Sequence, residues 1–245
     1  MNIHCFSGMG NSAAVAARLE SKLPADFADD IYVCPVYSWG LPPIIVKHLQ
    51  NAPLHGRRVH LVVTCGDDTG NIDRQWLRLI QQRGAMTGSI YSVQMPNTYV
   101  NLPLMDVDSP ALAAKKLEAA AARVDYIAGR LAQGIIETDI NRGALPALKS
   151  SVIYPLFFPK NKSNAAKFHA TAACTGCSTC VRLCPNQNIT LGSDRRPRWG
   201  GDCTYCLRCY HVCPTHAVAY GNRTSRKGQY LHPEFQQLIK NFKNL

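Results

Sequence analysis

One cysteine motif occurs twice in this chain of 245 residues and constrains its fold more than any other feature. The first copy is CTGCSTCVRLCP at 174–185, and the second is CTYCLRCYHVCP at 203–214. Together they hold eight of the 11 cysteines. A constant offset of 29 residues relates the copies, from Cys174 to Cys203 and from Cys184 to Cys213. We call it the repeat offset. This part of the chain has few apolar residues of its own, so we expect its fold to depend on whatever the thiols bind.

The spacing C-x2-C-x2-C-x3-C-P predicts two 4Fe-4S clusters. Three thiolates separated by two residues each can bind three irons of one inorganic cube, whereas the fourth reaches the neighbouring cube and the proline ends the turn. The expected ligand sets are therefore crossed between the two copies. They are Cys174, Cys177, Cys180 and Cys213 for one cluster, and Cys203, Cys206, Cys209 and Cys184 for the other.

Zinc is the alternative metal for clustered cysteines. Structural zinc sites use two separated CxxC pairs that close one tetrahedron. A third cysteine at the same short spacing, followed by a CP ending and then duplicated, does not suit such a site. The motif therefore favours iron-sulfur clusters over zinc.

Composition limits the remaining classes of protein. The chain opens with MNIHCFSG, without a basic start and apolar run, and no apolar stretch is long enough for a bilayer. We therefore expect a cytoplasmic protein. The formal charge of +11 falls to roughly +5 once two clusters and a bound phosphate are counted. This charge fits a solvated basic surface or the docking of an acidic redox partner, and it weakens the case for nucleic acid.

The region 1–140 is predicted to form a doubly wound α/β domain. Short apolar runs rich in β-branched residues are typical of buried parallel strands, and stretches of helical composition lie between them. The strand candidates are 3–6, 31–37, 57–65 and 89–96. The helix candidates are 13–23, 42–50, 71–84 and 110–134.

The loops after the first three predicted strands form a candidate ligand site, because ligands bind at the carboxyl ends of strands in such sheets. The first loop, SGMGNS, offers backbone N–H groups at a helix start, where an anion is favoured. The second offers aromatic rings, and the third offers glycine and backbone polar groups. This combination predicts a flat heteroaromatic ring on a phosphorylated tail. The candidate residues are Ser7, Gly8, Met9, Gly10, Asn11, Ser12, Tyr37, Ser38, Trp39, Gly40, Cys65, Gly66, Asp67 and Asn71.

These loops resemble flavodoxin, in which a loop close to S-G-T-G-N-T binds the phosphate of flavin mononucleotide (FMN). The whole chain resembles the family that fuses a flavodoxin-like domain to a bacterial two-cluster ferredoxin domain, through PVYSWGLPP, VVTCGDDTG, QMPNTYV, both cysteine motifs, RPRW and KGQYLHPEF. The resemblance implies FMN and two 4Fe-4S clusters as cofactors. The expected domains are a flavodoxin-like domain at 1–140 and a ferredoxin domain at 169–245. The aromatic residues of the linker at 141–168 argue against a free tether, so we expect it to pack between the domains and to hold the clusters near the flavin loops.

Two departures from the flavodoxin pattern affect these expectations. Met9 stands where threonine is usual, which removes one hydroxyl donor and predicts weaker phosphate binding. Only SKLPADFADD separates the first helix from the second strand, so the flavodoxin edge strand is very short or absent and the sheet has four or five strands. His211 and His216 flank the last cluster cysteine, and we expect them at the surface rather than in hydrogen bonds that tune a cluster.

We therefore expect an electron-transfer protein that passes electrons between FMN and two 4Fe-4S clusters, to or from another redox protein, in an organism with low-oxygen metabolism. No residue is predicted to be catalytic. Two alternatives remain open. One is a ferredoxin whose front domain only docks a partner without flavin. The other is an FMN-dependent reductase of a small substrate near Trp39, Asp67 and Tyr99 that is fed by its own clusters.

Overall fold

The computed structural model describes residues 2–101, 105–158, 164–222, 224 and 226–243. It divides into two compact units. The first contains Met1–Ser7, Asn11–Pro96 and Ser109–Lys160, and the second contains Gly8–Gly10, Asn97–Asp108 and Asn161–Leu245. Residues 159–163 of the predicted linker lie outside the described residues.

The first unit is built on a parallel sheet of five strands with the order β1-β2-β3-β4-β5. The strands are β1 (Asn2–Cys5), β2 (Asp30–Pro35), β3 (Arg58–Cys65), β4 (Met86–Gln94) and β5 (Thr138–Asp139). The main helices are α1 (Asn11–Lys22), α2 (Pro43–Asn51), α3 (Ile72–Gln81) and α4 (Pro110–Ala132). No helix in the described parts of the chain is both long and apolar enough to span a bilayer.

Helices cover both faces of this sheet, as the apolar runs of β2 and β3 predict. Ile31 and Val33 of β2 join residues of α1 and α4, including Leu19 and Ile127, in one core cluster. The intervening residue Tyr32 points to the other face, where its ring lies 5.3 Å from that of Trp76 in α3. The sheet is thus buried on both faces. A ligand can reach it only at the ends of the strands.

In the described residues no strand lies between α1 and β2, so α1 connects β1 directly to β2. The chain moves in one direction across the sheet from β1 to β4, and α2 and α3 lie on the face opposite α1 and α4. The crossover from β1 to β2 therefore has the opposite hand to the two that follow, although such crossovers are nearly always right-handed. In the described residues β1 is an edge strand, and the fifth strand lies at the far edge as β5.

A helical segment follows β5 within the first unit. It consists of α5 (Pro146–Leu148), a π-helical stretch (Lys149–Ile153) and α6 (Tyr154–Phe157). We call residues 141–158 the cover segment because they pack on the loops that follow β2 and β3, as described below. The sequence predicts packing for this linker, and its proposed role of holding clusters near a flavin stays a prediction.

The second unit carries two antiparallel strand pairs and short helices. A 3₁₀ turn (Asn164–Lys167) leads into β6 (Phe168–Ala170), which pairs with β9 (Val218–Tyr220), while β7 (Ile189–Leu191) pairs with β8 (Pro197–Trp199). The short helices α7 (Thr179–Arg182) and α8 (Arg208–His211) lie inside the two cysteine motifs, and α9 (Pro233–Lys243) closes the chain. The repeat offset that relates the cysteines also relates β6 to β8 and β7 to β9.

Candidate functional site: two cysteine groups and three loops

The two cysteine motifs adopt the same backbone conformation. A left-handed residue with φ near +60° precedes each short helix, Ser178 before α7 and Leu207 before α8. Two further pairs of left-handed residues are related by the repeat offset, and they are Gly176 with Tyr205, and Gln187 with His216. Left-handed backbone is costly for residues other than glycine. Its repetition indicates that the path around the sulfurs is fixed by what they bind.

Backbone N–H groups point at the sulfurs in both copies. Asn188 donates to Cys184 Sγ at 3.4 Å, and Ala217 donates to Cys213 Sγ at 3.2 Å, so the hydrogen bond repeats with the motif. Tyr205 donates to Cys203 Sγ at 3.4 Å. Such bonds stabilise a thiolate and tune the metal that it ligates. The donor set therefore fits an iron-sulfur cluster.

The electrostatic neighbours of the thiols mix the two motifs. Burial raises the pKa of Cys180 to about 11, with further contributions from Cys213 and Cys177. Burial likewise raises the pKa of Cys203 to about 11, and its cysteine neighbours are Cys206 and Cys184. Cys213 of the second motif thus lies near Cys180 of the first, and Cys184 of the first lies near Cys203 and Cys206 of the second. This is the grouping that crossed ligation requires.

Other thiols complete the two groups without making a site for a single ion. Burial also raises the pKa of Cys209, with a further contribution from Cys206. Within the described residues, no three His, Cys, Asp or Glu side chains converge as they would around one metal ion. The prediction of cubes rests on the spacing and on the grouping of the sulfurs.

Solvent exposure differs between the two groups. Cys177 of the first group is exposed, whereas every cysteine of the second group is buried or half-buried. Burial would raise the pKa of Cys177, but hydrogen bonds, the strongest from Thr179, outweigh it and the pKa is lowered. The first group therefore has one cysteine residue at the protein surface.

Arg208 in α8 connects several parts of the second unit. Its Nε donates to the Gly8 carbonyl at 2.6 Å and its Nη1 to the Leu183 carbonyl at 3.2 Å. The guanidinium also lies 4.9 Å from the centre of the Phe235 ring. Burial raises the pKa of the Cys206 thiol, while the Arg208 backbone N–H and charge act to lower it. One side chain thus touches the glycine loop and the residues beside Cys184 and Cys206. The sequence singled out neither this arginine nor its contacts.

His211 is buried, so the expected surface position is wrong for this residue. Its Nε2–H donates to the Thr98 carbonyl at 2.9 Å, and its Nδ1 accepts from the Tyr230 N–H at 3.1 Å. Burial lowers the pKa of His211 to about 4. Both nitrogens of the neutral ring are therefore used, one to hold Thr98 and the other to hold Tyr230 against α8.

The KGQYLH stretch braces the second motif further. Gln229 donates from Nε2 to the carbonyls of Tyr210 and Cys213, at 2.6 and 2.9 Å. The Tyr210 hydroxyl donates to the Lys227 carbonyl at 2.7 Å and contacts His216 Nε2 at the same distance. These bonds restrain the backbone of a predicted cluster ligand.

The glycine loop is held by its carbonyls and by Gly10. The Gly8 carbonyl accepts from Arg208, and the Met9 carbonyl accepts from the His232 N–H at 2.9 Å. Gly10 has φ +102°, and a Cβ there would lie 2.7 Å from the His232 Cβ, so only glycine fits. The remaining loop residues are part of the first unit. Carbonyls directed to protein donors, with a guanidinium nearby, suit a loop that binds an anion.

In the first unit, the other side chains of this loop bond to the ends of strands. Ser12 Oγ lies 2.8 Å from Thr64 Oγ1, and Asn11 Nδ2 donates to the Pro96 carbonyl at 3.0 Å. Met9 is buried rather than displayed. A phosphate would therefore be bound mainly by backbone N–H groups.

The aromatic loop is a tight turn. Tyr37 and Gly40 exchange two backbone hydrogen bonds, and Ser38 and Trp39 between them have φ of +46° and +66°. Two successive left-handed residues define a type I′ turn, which is unusual without glycine or asparagine. Within the described residues, the buried Ser38 hydroxyl has no hydrogen-bond partner. The strain and the orphaned hydroxyl indicate a loop shaped for a ligand.

The third loop contains the buried Cys65, whose pKa burial raises to about 12. Asp67 is exposed, while Asp68 forms an ion pair with Lys149 of the cover segment at 2.6 Å. The Gly66 carbonyl accepts from Lys116 Nζ at 2.9 Å. Both aspartates thus face a lysine, because the exposed Asp67 lies 3.8 Å from Lys116 Nζ.

The cover segment packs on the second and third loops, which the sequence did not predict. Ser150 Oγ donates to the Trp39 carbonyl and accepts from the Asn71 N–H, both at 2.8 Å. The Tyr154 hydroxyl donates to the Leu41 carbonyl at 2.7 Å, and a Cβ on Gly40 would lie 2.5 Å from the Tyr154 ring. These contacts link the aromatic loop to the glycine-containing loop.

The sheet topology and the cysteine geometry define the class of protein. It is a flavodoxin-like α/β unit joined to a ferredoxin-type unit. Residues 173–218, which contain all eight motif cysteines, match the family model for a 4Fe-4S dicluster domain.

Similarity to individual proteins is low. A solved structure described as Streptococcus pneumonia TIGR4 flavodoxin is 19% identical, and the match covers 51% of this chain and 97% of that one with a TM-score of 0.31. Comparison with curated proteins found no match. The match to a 4Fe-4S dicluster domain indicates a protein of electron transfer.

Proposed function

We propose that this protein carries two 4Fe-4S clusters and FMN, and passes electrons between the flavin and a separate redox protein. The observation that carries the proposal is the duplicated geometry of the motifs, in which Cys184 and Cys213 each accept a backbone N–H at the repeat offset. Cys213 also lies near Cys180 of the other motif, and Cys184 near Cys203. Crossed ligation brings two clusters close together, as electron hopping between them requires.

The loops after β1, β2 and β3 would hold the FMN. Residues 7–12 would bind the phosphate, and the strained turn at Ser38 and Trp39 would contact the ring. Bound FMN exchanges two electrons, whereas each cluster exchanges one, so the pair interconverts the two kinds of transfer. Ser38 offers a hydroxyl with no bond inside the described protein, and it would bond a polar edge of the ring.

A count of cofactors on protein purified without air tests this proposal. We expect about eight irons and eight sulfides per chain, and acid precipitation should release one yellow FMN. Two zinc ions per chain and no sulfide would refute the cluster assignment. A colourless supernatant from iron-loaded protein would refute only the flavin.

A front unit that docks a partner without flavin is the second candidate, and the cover segment favours it. Ser150 bridges the aromatic and glycine-containing loops, and Tyr154 lies on Gly40, so this chain's own side chains occupy part of the space beside them. Adding FMN to the flavin-free holoprotein and to the Tyr154→Ala variant separates the two. If FMN binds only after the ring of Tyr154 is removed, the cover segment excludes flavin from the native protein.

A further inference from the structure

Basic residues are concentrated in the part of the chain that carries the cysteine motifs. Residues 161–245 contain 12 of the 27 lysines and arginines but only three of the 16 aspartates and glutamates. Two clusters with their thiolates subtract about four charges, which leaves this region clearly positive. A strong field of one sign steers molecules of the opposite sign.

Arg195 places one of these charges beside Gly176, the residue that precedes the exposed Cys177. It lies in the turn between β7 and β8, with φ +58°, and its side chain is exposed. A Cβ on Gly176 would be 3.0 Å from the Arg195 carbonyl oxygen and 3.4 Å from its Nε. The arginine thus lies over the peptide that leads directly into Cys177.

The turn that carries Arg195 is anchored on both sides. Arg196 donates from Nη1 to the carbonyls of Ala170 and Thr171, at 3.3 and 3.2 Å. Arg198 pairs with Asp194 at 2.8 Å, which uses the nearest acidic group. Among the described residues Arg195 has no ion pair, so its charge is available to a partner.

We propose that the surface formed by Arg195, Gly176 and Cys177 is the docking site for an acidic electron-transfer protein. The proposal rests on the proposed function. In each encounter one electron passes between the cluster that Cys177 would bind and the partner's redox centre, so one is oxidised and the other reduced, and no bond is made or broken. An exposed ligand shortens the distance for transfer, and the arginine attracts carboxylates around the partner's centre.

The experiment uses anaerobic stopped-flow mixing of the reduced holoprotein with oxidised protein acceptors. An acidic flavodoxin is the probe, and a basic cytochrome c is the opposite-charge control. The variants are Arg195→Glu, Arg195→Lys and Lys47→Glu. Lys47 is an exposed residue of α2, so its variant makes the same change in net charge in the first unit.

We expect Arg195→Glu to lower the second-order rate with the acidic probe about tenfold at low salt, and to raise it with the basic control. Arg195→Lys should stay near wild type, and Lys47→Glu should change the rate less than about twofold. The difference should disappear at high salt, where surface charges are screened.

Equal effects of Arg195→Glu and Lys47→Glu would overturn the proposal, because net charge alone would then explain the rates. Unchanged rates, combined with loss of binding to single-stranded DNA or to vesicles of anionic lipid, would assign the surface to that ligand instead. Electron paramagnetic resonance of the reduced wild-type protein is recorded first. Absence of cluster signals there refutes the proposed function itself, whereas normal signals with unchanged rates refute only the docking site.

Discussion

The two halves of the cysteine repeat have one backbone and two environments. Hydrogen bonds, left-handed residues and strands of 168–191 recur, at the repeat offset, in 197–220. Around the second half, however, the chain at Thr98 and at Gln229 and Tyr230 is bonded to α8, which braces this half. The spacing of the cysteines thus sets where metal can bind, and the added segments set how far each site is shielded from water.

The contrast is sharpest at the matched left-handed position before the second cysteine of each motif. In the first half it is Gly176, which leaves room only for Arg195. In the second half it is Tyr205, which is buried, accepts a hydrogen bond from Asn101 Nδ2 at 2.7 Å and packs edge-on against Phe168 and Tyr220. We call the first half, which contains the exposed Cys177, the open half, and the second half, which contains the buried Tyr205, the braced half.

The largest expected effect concerns the crossing of ligands between the halves. If ligation is crossed, Cys213→Ser should remove the cluster assigned to Cys180 and halve the iron from about eight to about four per chain. Adding Cys180→Ser should then cost no further iron, whereas adding Cys209→Ser should remove the rest. Iron and sulfide counts on anaerobic protein measure this. The reverse outcome, in which Cys209→Ser is the silent addition, would show that each motif closes its own cluster.

Removing the Tyr205 ring should destabilise the braced half. Tyr205→Ala loses a buried aromatic ring, and we expect the free energy of unfolding to fall by about 3 kcal/mol. Tyr205→Gly should lose about 1 kcal/mol less, because glycine adopts φ +60° without strain. Anaerobic denaturation, followed by cluster absorbance, measures the difference.

Tyr205→Phe is the control for this series, since it keeps the ring and should lose only about 1 kcal/mol with the hydrogen bond to Asn101. An alanine variant as stable as the phenylalanine variant would mean that the ring does not hold this half together.

Sequence reasoning was strongest where the pattern is local. The cysteine spacing predicted the iron-sulfur domain that the family model matches. The apolar runs predicted β2 and β3 to within two residues at either end. The short strand β5 has only two residues and no periodicity of its own. It exists because Ile90 and Tyr91 of β4 offer a free edge, and no local signal shows that.

The parts that sequence reasoning missed depend on distant partners. Burial of His211 requires Thr98 and Tyr230, and the role of Arg208 requires Gly8, which is 200 residues away. Ser150 and Tyr154 are residue types that occur in many linkers. Only the fold reveals that they contact Trp39 and Leu41. A single sequence thus identifies the residues that carry a site's chemistry more readily than the distant residues that hold them in place.

Arg208 allows a test of whether the braced half communicates with the glycine loop. Arg208→Gln removes the cation beside Gly8, and we expect FMN to bind about tenfold more weakly, which is about 1.4 kcal/mol. The signal of the cluster assigned to Cys206 and Cys184 should shift as well, because the side chain also holds Leu183. Flavin fluorescence and electron paramagnetic resonance measure the two effects.

Arg208→Lys and Arg182→Gln are the controls for this test. Lysine keeps the charge without the planar fork and should be intermediate, whereas Arg182 is an exposed residue of α7 in the open half and should have no effect on flavin. A shift in flavin affinity with an unchanged cluster signal would show that Arg208 serves the loop alone.

The smallest expected effect lies at Gly176 in the open half. Gly176→Ala places a Cβ about 3 Å from the Arg195 backbone at φ +68°, so we expect a loss of about 1 to 2 kcal/mol and a displaced arginine. Because the alanine leaves every charge in place, any slower transfer to an acidic probe would come from the position of Arg195 rather than from its presence. The rate should fall less than in Arg195→Glu. A variant with wild-type stability and rate would show that the open half tolerates a side chain there, and that the contrast with Tyr205 has no functional weight.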